Sequence, residues 1–122
     1  MKLHAAGPSG LNAFTGYGEG YVLVNGERHT ANVIVLPEHV LPWNAAGFDA
    51  LQAQDFAELA AMPLEVVLLG TGSRLRFPHP SLTQALAAAR IGLEVMDMQA
   101  ACRTYNILMD ESRKVAAALL FD

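Results

Sequence analysis

The residues best suited to chemistry gather in one stretch. In Glu65-Val66-Val67-Leu68-Leu69-Gly70-Thr71-Gly72-Ser73-Arg74-Leu75-Arg76, four large apolar side chains run straight into two glycines and two arginines. Guanidinium groups and free loop amides are what hold carboxylates and phosphates, and glycine permits backbone angles that a side chain would forbid. The candidate ligand-binding residues are therefore Gly70, Thr71, Gly72, Arg74 and Arg76, joined by Asp97 and Tyr105 from later in the chain. The ligand they suit is a small carboxylate- or phosphate-bearing molecule. A simpler alternative pairs Arg74 or Arg103 with Asp97 and leaves Arg76 as a solvated loop charge, which is the commoner arrangement for an arginine near an acidic strand end.

Sharper chemistries fail on spacing. A dinucleotide fingerprint needs a third glycine and a helix that starts at once, whereas Pro78 and Pro80 delay the next helix to Ser81. No Gly-Lys-Ser or Gly-Lys-Thr phosphate cradle is present, so no cofactor is expected. His4, His29, His39 and His79 show no helical metal-ligand spacing, and no metal site is expected. Cys102 lies near the start of a helix, where a thiol pKa can fall, but a lone cysteine is more often buried and inert. Ser73 and Ser81 lack a nucleophile-elbow pattern, and the adjacent Asp110 and Glu111 point to different helix faces. No catalytic residue is assigned, and the balance leans away from an enzyme.

The elements that must position the glycine stretch follow from periodicity. Val66 to Leu69 lacks polar alternation, as a strand covered on both faces does. Upstream, Tyr17 to Val24 is rich in strand formers, Asn25-Gly26 is a favoured two-residue hairpin turn, and Glu27 to Leu36 reads as the return strand. Pro37 and Pro42 confine residues 37–47 to a loop with at most one short edge segment. A helix is expected from Gln52 to Ala61, stopped by Pro63. Downstream, Ser81 and Gln84 have capping-box spacing, and Leu82, Ala85, Leu86 and Ala89 form a narrow helical stripe that Gly92 ends. Leu93 to Met96 is a strand, Asp97 caps a helix whose inward face carries Ala101, Thr104, Tyr105 and Leu108, and Val115 to Phe121 is a last apolar run.

The expected fold is α/β. A single domain spans residues 1–122, in which an N-terminal β-hairpin extends a mixed sheet whose C-terminal half is a parallel βαβαβ unit with packed helices. Residues 1–12 are expected to form a loosely ordered arm. Ligands of open α/β sheets gather beyond the carboxyl ends of parallel strands, so Gly70 to Arg76 should meet Asp97 in space. With 122 residues, 52% of them hydrophobic, the chain is long enough for a core without metal or disulfide staples. The net charge of −4 argues against nucleic acid. One cysteine excludes an internal disulfide, and no window reaches the ~20 apolar residues of a membrane span, so the expected location is the cytoplasm. An unpaired hairpin edge leaves homo-oligomer formation open.

Five blocks together carry a resemblance: Phe14-x-x-Tyr17-Gly18, Val66-Val67-Leu68-Leu69-Gly70-Thr71-Gly72, Glu94-Val95-Met96-Asp97, Thr104-Tyr105-Asn106-Ile107-Leu108 and Val115-Ala116-Ala117-Ala118-Leu119. Over nearly its whole length the chain resembles the small α/β domain family of uncharacterised bacterial proteins that includes mitochondrial complex I (NADH dehydrogenase) assembly factor 3 and the adipogenesis-associated single-domain protein. Met98 stands where that family is expected to carry Thr, which leaves Asp97 to cap the helix. The resemblance implies a compact α/β fold and no assigned reaction. It favours a non-enzymatic interaction or assembly-factor-like module with a protein partner, displaying an apolar patch near Trp43 and the hairpin. The alternative is the small anionic-ligand domain, possessing a site at the strand ends.

Overall fold

The computed structural model describes residues 10–122. Two sheets pack against one shared helix, and the other helices cover the far face of the larger sheet. The smaller is antiparallel, in the order β1 (Phe14–Gly18), β2 (Tyr21–Val24), β3 (Glu27–His29). The larger combines β4 (Val33–Val35), β5 (Val40–Pro42), β6 (Val66–Gly70), β7 (Gly92–Met96) and β8 (Val115–Leu119) in the order β5-β4-β8-β6-β7. Three helices, α1 (Ala53–Ala60), α2 (Gln84–Ala88) and α3 (Met98–Asp110), complete this small α/β fold.

The parallel unit forms as its periodicity requires. β6 pairs in parallel with both β7 and β8, so the chain runs β6-α2-β7-α3-β8 with β6 in the middle. All five residues of β6 and all five of β8 are buried. Val66, Leu68, Ala117 and Leu119 face a core shared with α3 and the small sheet, while Val67, Leu69, Ala116 and Ala118 face α1 and α2. Burying a leucine such as Leu68 or Leu69 on this scale contributes about 2 kcal/mol each. The alanines of β8 have a different role: their small side chains let helices approach both faces of the sheet.

The hairpin turn is where the sequence places it. Asn25 and Gly26 take left-handed φ values of 49° and 83°, the conformation that a two-residue turn of the favoured type demands. The return strand, however, divides. Residues 27–29 stay with the hairpin, which pairs with β1 in a sheet of its own, and residues 33–35 cross into the large sheet between β5 and β8. The hairpin therefore does not itself extend the large sheet; only β4 does. Asn32 makes the crossing by bonding Ala45 O at 2.8 Å and Phe121 N at 2.8 Å. β5 is the short proline-ended edge strand expected within residues 37–47.

Two helix boundaries shift. Residues 80–82 form a 3-10 turn, so the helix expected from Ser81 is reduced to α2 at residues 84–88. His79 caps that 3-10 turn, its imidazole Nδ1 accepting the Ser81 amide at 3.1 Å, and Thr83 rather than Ser81 stands at the N-cap position of α2. Arg90, not Gly92, ends it in a left-handed conformation at φ 60°, and Gly92 opens β7. Of the expected arm, residues 1–9, His4 among them, lie outside the described residues. Asn12 is held, its amide nitrogen bonded to Leu36 O at 2.9 Å and its backbone N–H to Pro37 O at 2.8 Å.

Candidate functional site

The loop after β6 is built around one hydroxyl. Thr71 is the one fully buried polar residue among those described. Its Oγ1 donates toward Arg74 O at 2.7 Å, with Met96 O at 3.3 Å, and accepts the Arg76 amide at 3.0 Å. The side chain thus stands in for a strand partner and folds residues 71–76 into a tight turn. Gly72 follows at φ 85°. A Cβ there would meet the carboxylate of Asp122, a half-exposed side chain that can swing aside, so it is the left-handed backbone angle that favours glycine.

Parallel crossovers bring the two strand ends together. The Met98 amide donates to Gly72 O at 2.8 Å, placing the glycine turn beside the start of α3. Asp97 caps that helix, its Oδ1 accepting the Ala100 amide at 2.9 Å, which is the role left to it by Met98 next door. Gly70, Thr71, Gly72, Arg74, Arg76 and Asp97 thus share one end of the sheet. Tyr105 does not. It is buried two turns along α3, its hydroxyl donating to Asn12 O at 2.9 Å and its ring edge-on to Phe14 at 5.1 Å. Neighbouring Asn106 bonds both the N–H and the carbonyl of Phe14, at 2.9 and 2.8 Å. The Tyr-Asn pair docks the small sheet onto α3.

Neither arginine pairs with Asp97. Arg76 reaches back to Thr71 O at 2.9 Å, lies over the Phe48 ring at 4.6 Å and approaches Asp122 Oδ1 at 3.5 Å. Arg103 instead donates to the Tyr17 hydroxyl at 2.9 Å, and Arg74 is exposed. Asp122 was invisible to spacing arguments because 49 positions separate it from Ser73, whose amide it accepts at 3.0 Å. Hydrogen bonds from the Ser73 hydroxyl and amide, then the charges of Arg76 and Arg74, hold its carboxyl below the usual carboxylate range. The loop therefore does seat an anion, and that anion is the chain's own.

A cavity of about 430 Å³ adjoins this seat, with Gly72, Ser73, Asp97, Met98 and Asp122 on one side and the Gly18–Gly20 turn on the other. No arginine lines it. A second cavity, of about 590 Å³, lies at the opposite ends of the parallel strands among Leu36, Leu41, Met62, Leu64, Met109 and Val115. Among the described residues no group of His, Cys, Asp and Glu could hold a metal ion, and no helix is long and apolar enough to cross a membrane.

Burial settles the state of Cys102, pushing its thiol up to about 12 despite its position in the first turns of α3. The thiolate is the reactive form, so Cys102 should resist iodoacetamide in the folded protein at neutral pH and react freely in denaturant. Rapid labelling without unfolding, followed by mass spectrometry, would contradict that burial. Trp43 is also buried, with its indole N–H bonded to Asp55 O at 3.2 Å and its ring edge-on to Phe56. Among the described residues no exposed large apolar side chain forms the patch expected around it. The large apolar residues left exposed among those described are Leu75, Phe77 and Ile107.

The described residues make a small α/β protein with a mixed sheet and a pinned loop at the carboxyl end of β6. The chain belongs to the family described as protein of unknown function (DUF498/DUF598), whose model matches residues 14–120. It is 33% identical over 103 residues to NADH dehydrogenase [ubiquinone] 1 alpha subcomplex assembly factor 3 of Bos taurus, covering 83% of this chain and 55% of that protein. The chain thus spans about half the length of that relative. An uncharacterised protein of Rhodobacter capsulatus is 33% identical over 122 residues, covering 98% of this chain and 93% of its own. The crystal structure of a Bordetella parapertussis protein superposes with a TM-score of 0.87 at 41% identity, over 94% of this chain and 100% of that one.

Proposed function

We propose that this chain is a non-enzymatic interaction module that docks a partner protein through residues 73–79. One observation carries the reading. Two of the three exposed large apolar side chains among the described residues, Leu75 at 50% and Phe77 at 69% exposure, sit two residues apart on this loop. Exposed aromatic and aliphatic side chains on a fixed support are the usual anchors of protein interfaces, and the support here is Thr71 together with Arg76.

The charge around the anchors indicates the kind of partner. Residues 73–79 carry Arg74 and Arg76 and no acid, within a chain of net charge −4. A partner segment with apolar side chains flanked by carboxylates complements that arrangement. Kinship with a protein named as an assembly factor supports the same reading.

Affinity purification of the tagged full chain from its native cell tests the proposal. The wild type should recover one defined heterologous protein in near-stoichiometric amount. A Leu75→Ser, Phe77→Ser double variant should lose at least about nine tenths of it, because truncating central anchors commonly costs 2 kcal/mol or more, about thirtyfold in affinity. Its thermal unfolding should match the wild type, since both side chains are solvent-exposed. Recovery of the chain alone, or undiminished capture by the double variant, would overturn the reading.

A further inference from the structure

We infer that Ser73 and Arg76 form a carboxylate subsite that Asp122 occupies in competition with small organic carboxylates. The inference is independent of protein docking through Leu75 and Phe77. Asp122 accepts the Ser73 amide through both oxygens, at 3.0 and 3.3 Å. Arg76 supplies Nη2 from the other side at 3.5 Å.

Three features mark this seat as a subsite rather than a surface ion pair. The backbone is shaped for it, because Gly72 holds φ 85° and leaves open the space a Cβ would take from the carboxylate. The guanidinium is fixed before any anion arrives, by Thr71 O at 2.9 Å and by the Phe48 ring. It also has capacity to spare: its contact with Asp122 is long, and its buried Nε has no hydrogen-bond partner among the described residues. Charged donors bind carboxylates best at about 2.7–2.9 Å, so an anion free of the backbone after β8 could settle closer than Asp122 does.

The adjoining space accommodates the rest of such a molecule. Gly72, Ser73 and Asp122 all line the cavity of about 430 Å³, within the range of about 300–1,000 Å³ typical of small-molecule sites. A ligand whose carboxylate displaced Asp122 would place its body between Met98 and the Gly18–Gly20 turn. Asp122 is half exposed, so its departure uncovers no core. The tethered carboxylate acts at an effective concentration of about millimolar or more, and it sets the threshold that an outside carboxylate must exceed.

Amide NMR of the full chain titrated with sodium acetate tests the subsite, with sodium chloride at equal ionic strength as the control. In Asp122→Ala the Ser73 amide should shift saturably with acetate, at least about tenfold more tightly than in the wild type. Adding Arg76→Gln to Asp122→Ala should abolish the response while the rest of the spectrum stays folded. Three results would each overturn the inference: no saturable shift in Asp122→Ala, equal responses in wild type and variant, or the same shift with chloride.

Discussion

Replacing Gly70 by valine should destabilise the protein by about 3 kcal/mol and lower its melting temperature by roughly 10 °C. Gly70 is the last residue of β6, where α3 passes directly over the sheet. A Cβ built there meets Leu119 Cδ2 at 2.7 Å, Ala101 Cβ at 3.2 Å and the Met98 backbone Cα at 3.3 Å. Leu119 is fully buried and cannot swing clear without displacing core neighbours. Met98 offers no relief, because it is backbone and its amide is already bonded to Gly72 O. Alanine at the same position should cost less, since its single methyl needs shifts of only tenths of an ångström from two of the three contacts. Chemical denaturation of the pair orders the effects, and a valine variant as stable as the wild type would mean that α3 does not sit this close to the sheet.

The second large effect is expected at Thr71. Valine has the shape of threonine but removes the hydroxyl, leaving Arg74 O without its 2.7 Å donor and the Arg76 amide without its acceptor. Losing both is expected to cost about 2 kcal/mol. The loop should loosen as well as the domain: hydrogen exchange at the Arg76 amide should accelerate far more than exchange within β8. Thr71→Ser keeps the hydroxyl and should retain most of the protection. Uniform acceleration across the whole chain would indicate a packing defect instead of a released turn.

Which features could be read from the sequence depends on how far apart their partners lie. β6, the Asn25-Gly26 turn and the crossovers that set Gly72 beside Asp97 rest on local pattern plus the handedness and neighbour rules of parallel sheets, and each appears in the structure. The division of the return strand at Asn32 could not be read that way, because it depends on side-chain bonds to Ala45 and Phe121. Trp43, just beyond Pro42, reads in sequence as part of an exposed apolar patch. Its burial follows from α1 supplying both Phe56 and the carbonyl of Asp55.

The same distinction runs through the candidate site. Gly70, Thr71, Gly72, Arg74 and Arg76 are contiguous, so their shared location was legible, as was the capping role of Asp97. Tyr105 is grouped in sequence with the strand-end residues, yet it lies two turns along α3 from Asp97 and reaches the small sheet. Asp122 was missed altogether. An aspartate directly after an apolar strand whose neighbour ends in Gly-Thr-Gly is the signal that could have found it, since parallel neighbours end side by side. Gly70 and Leu119 are in fact register partners.

Docking through residues 73–79 is tested most directly by a photo-crosslinking amino acid placed at Phe77 in the full-length protein inside its native cell. A control at Asp110 uses the exposed far end of α3, about 20 Å of helix away from Met98. The expected result is one discrete heterologous adduct from position 77 and none from position 110. Position 77 yielding no adduct, or both positions yielding the same set, would contradict a docking role for this loop.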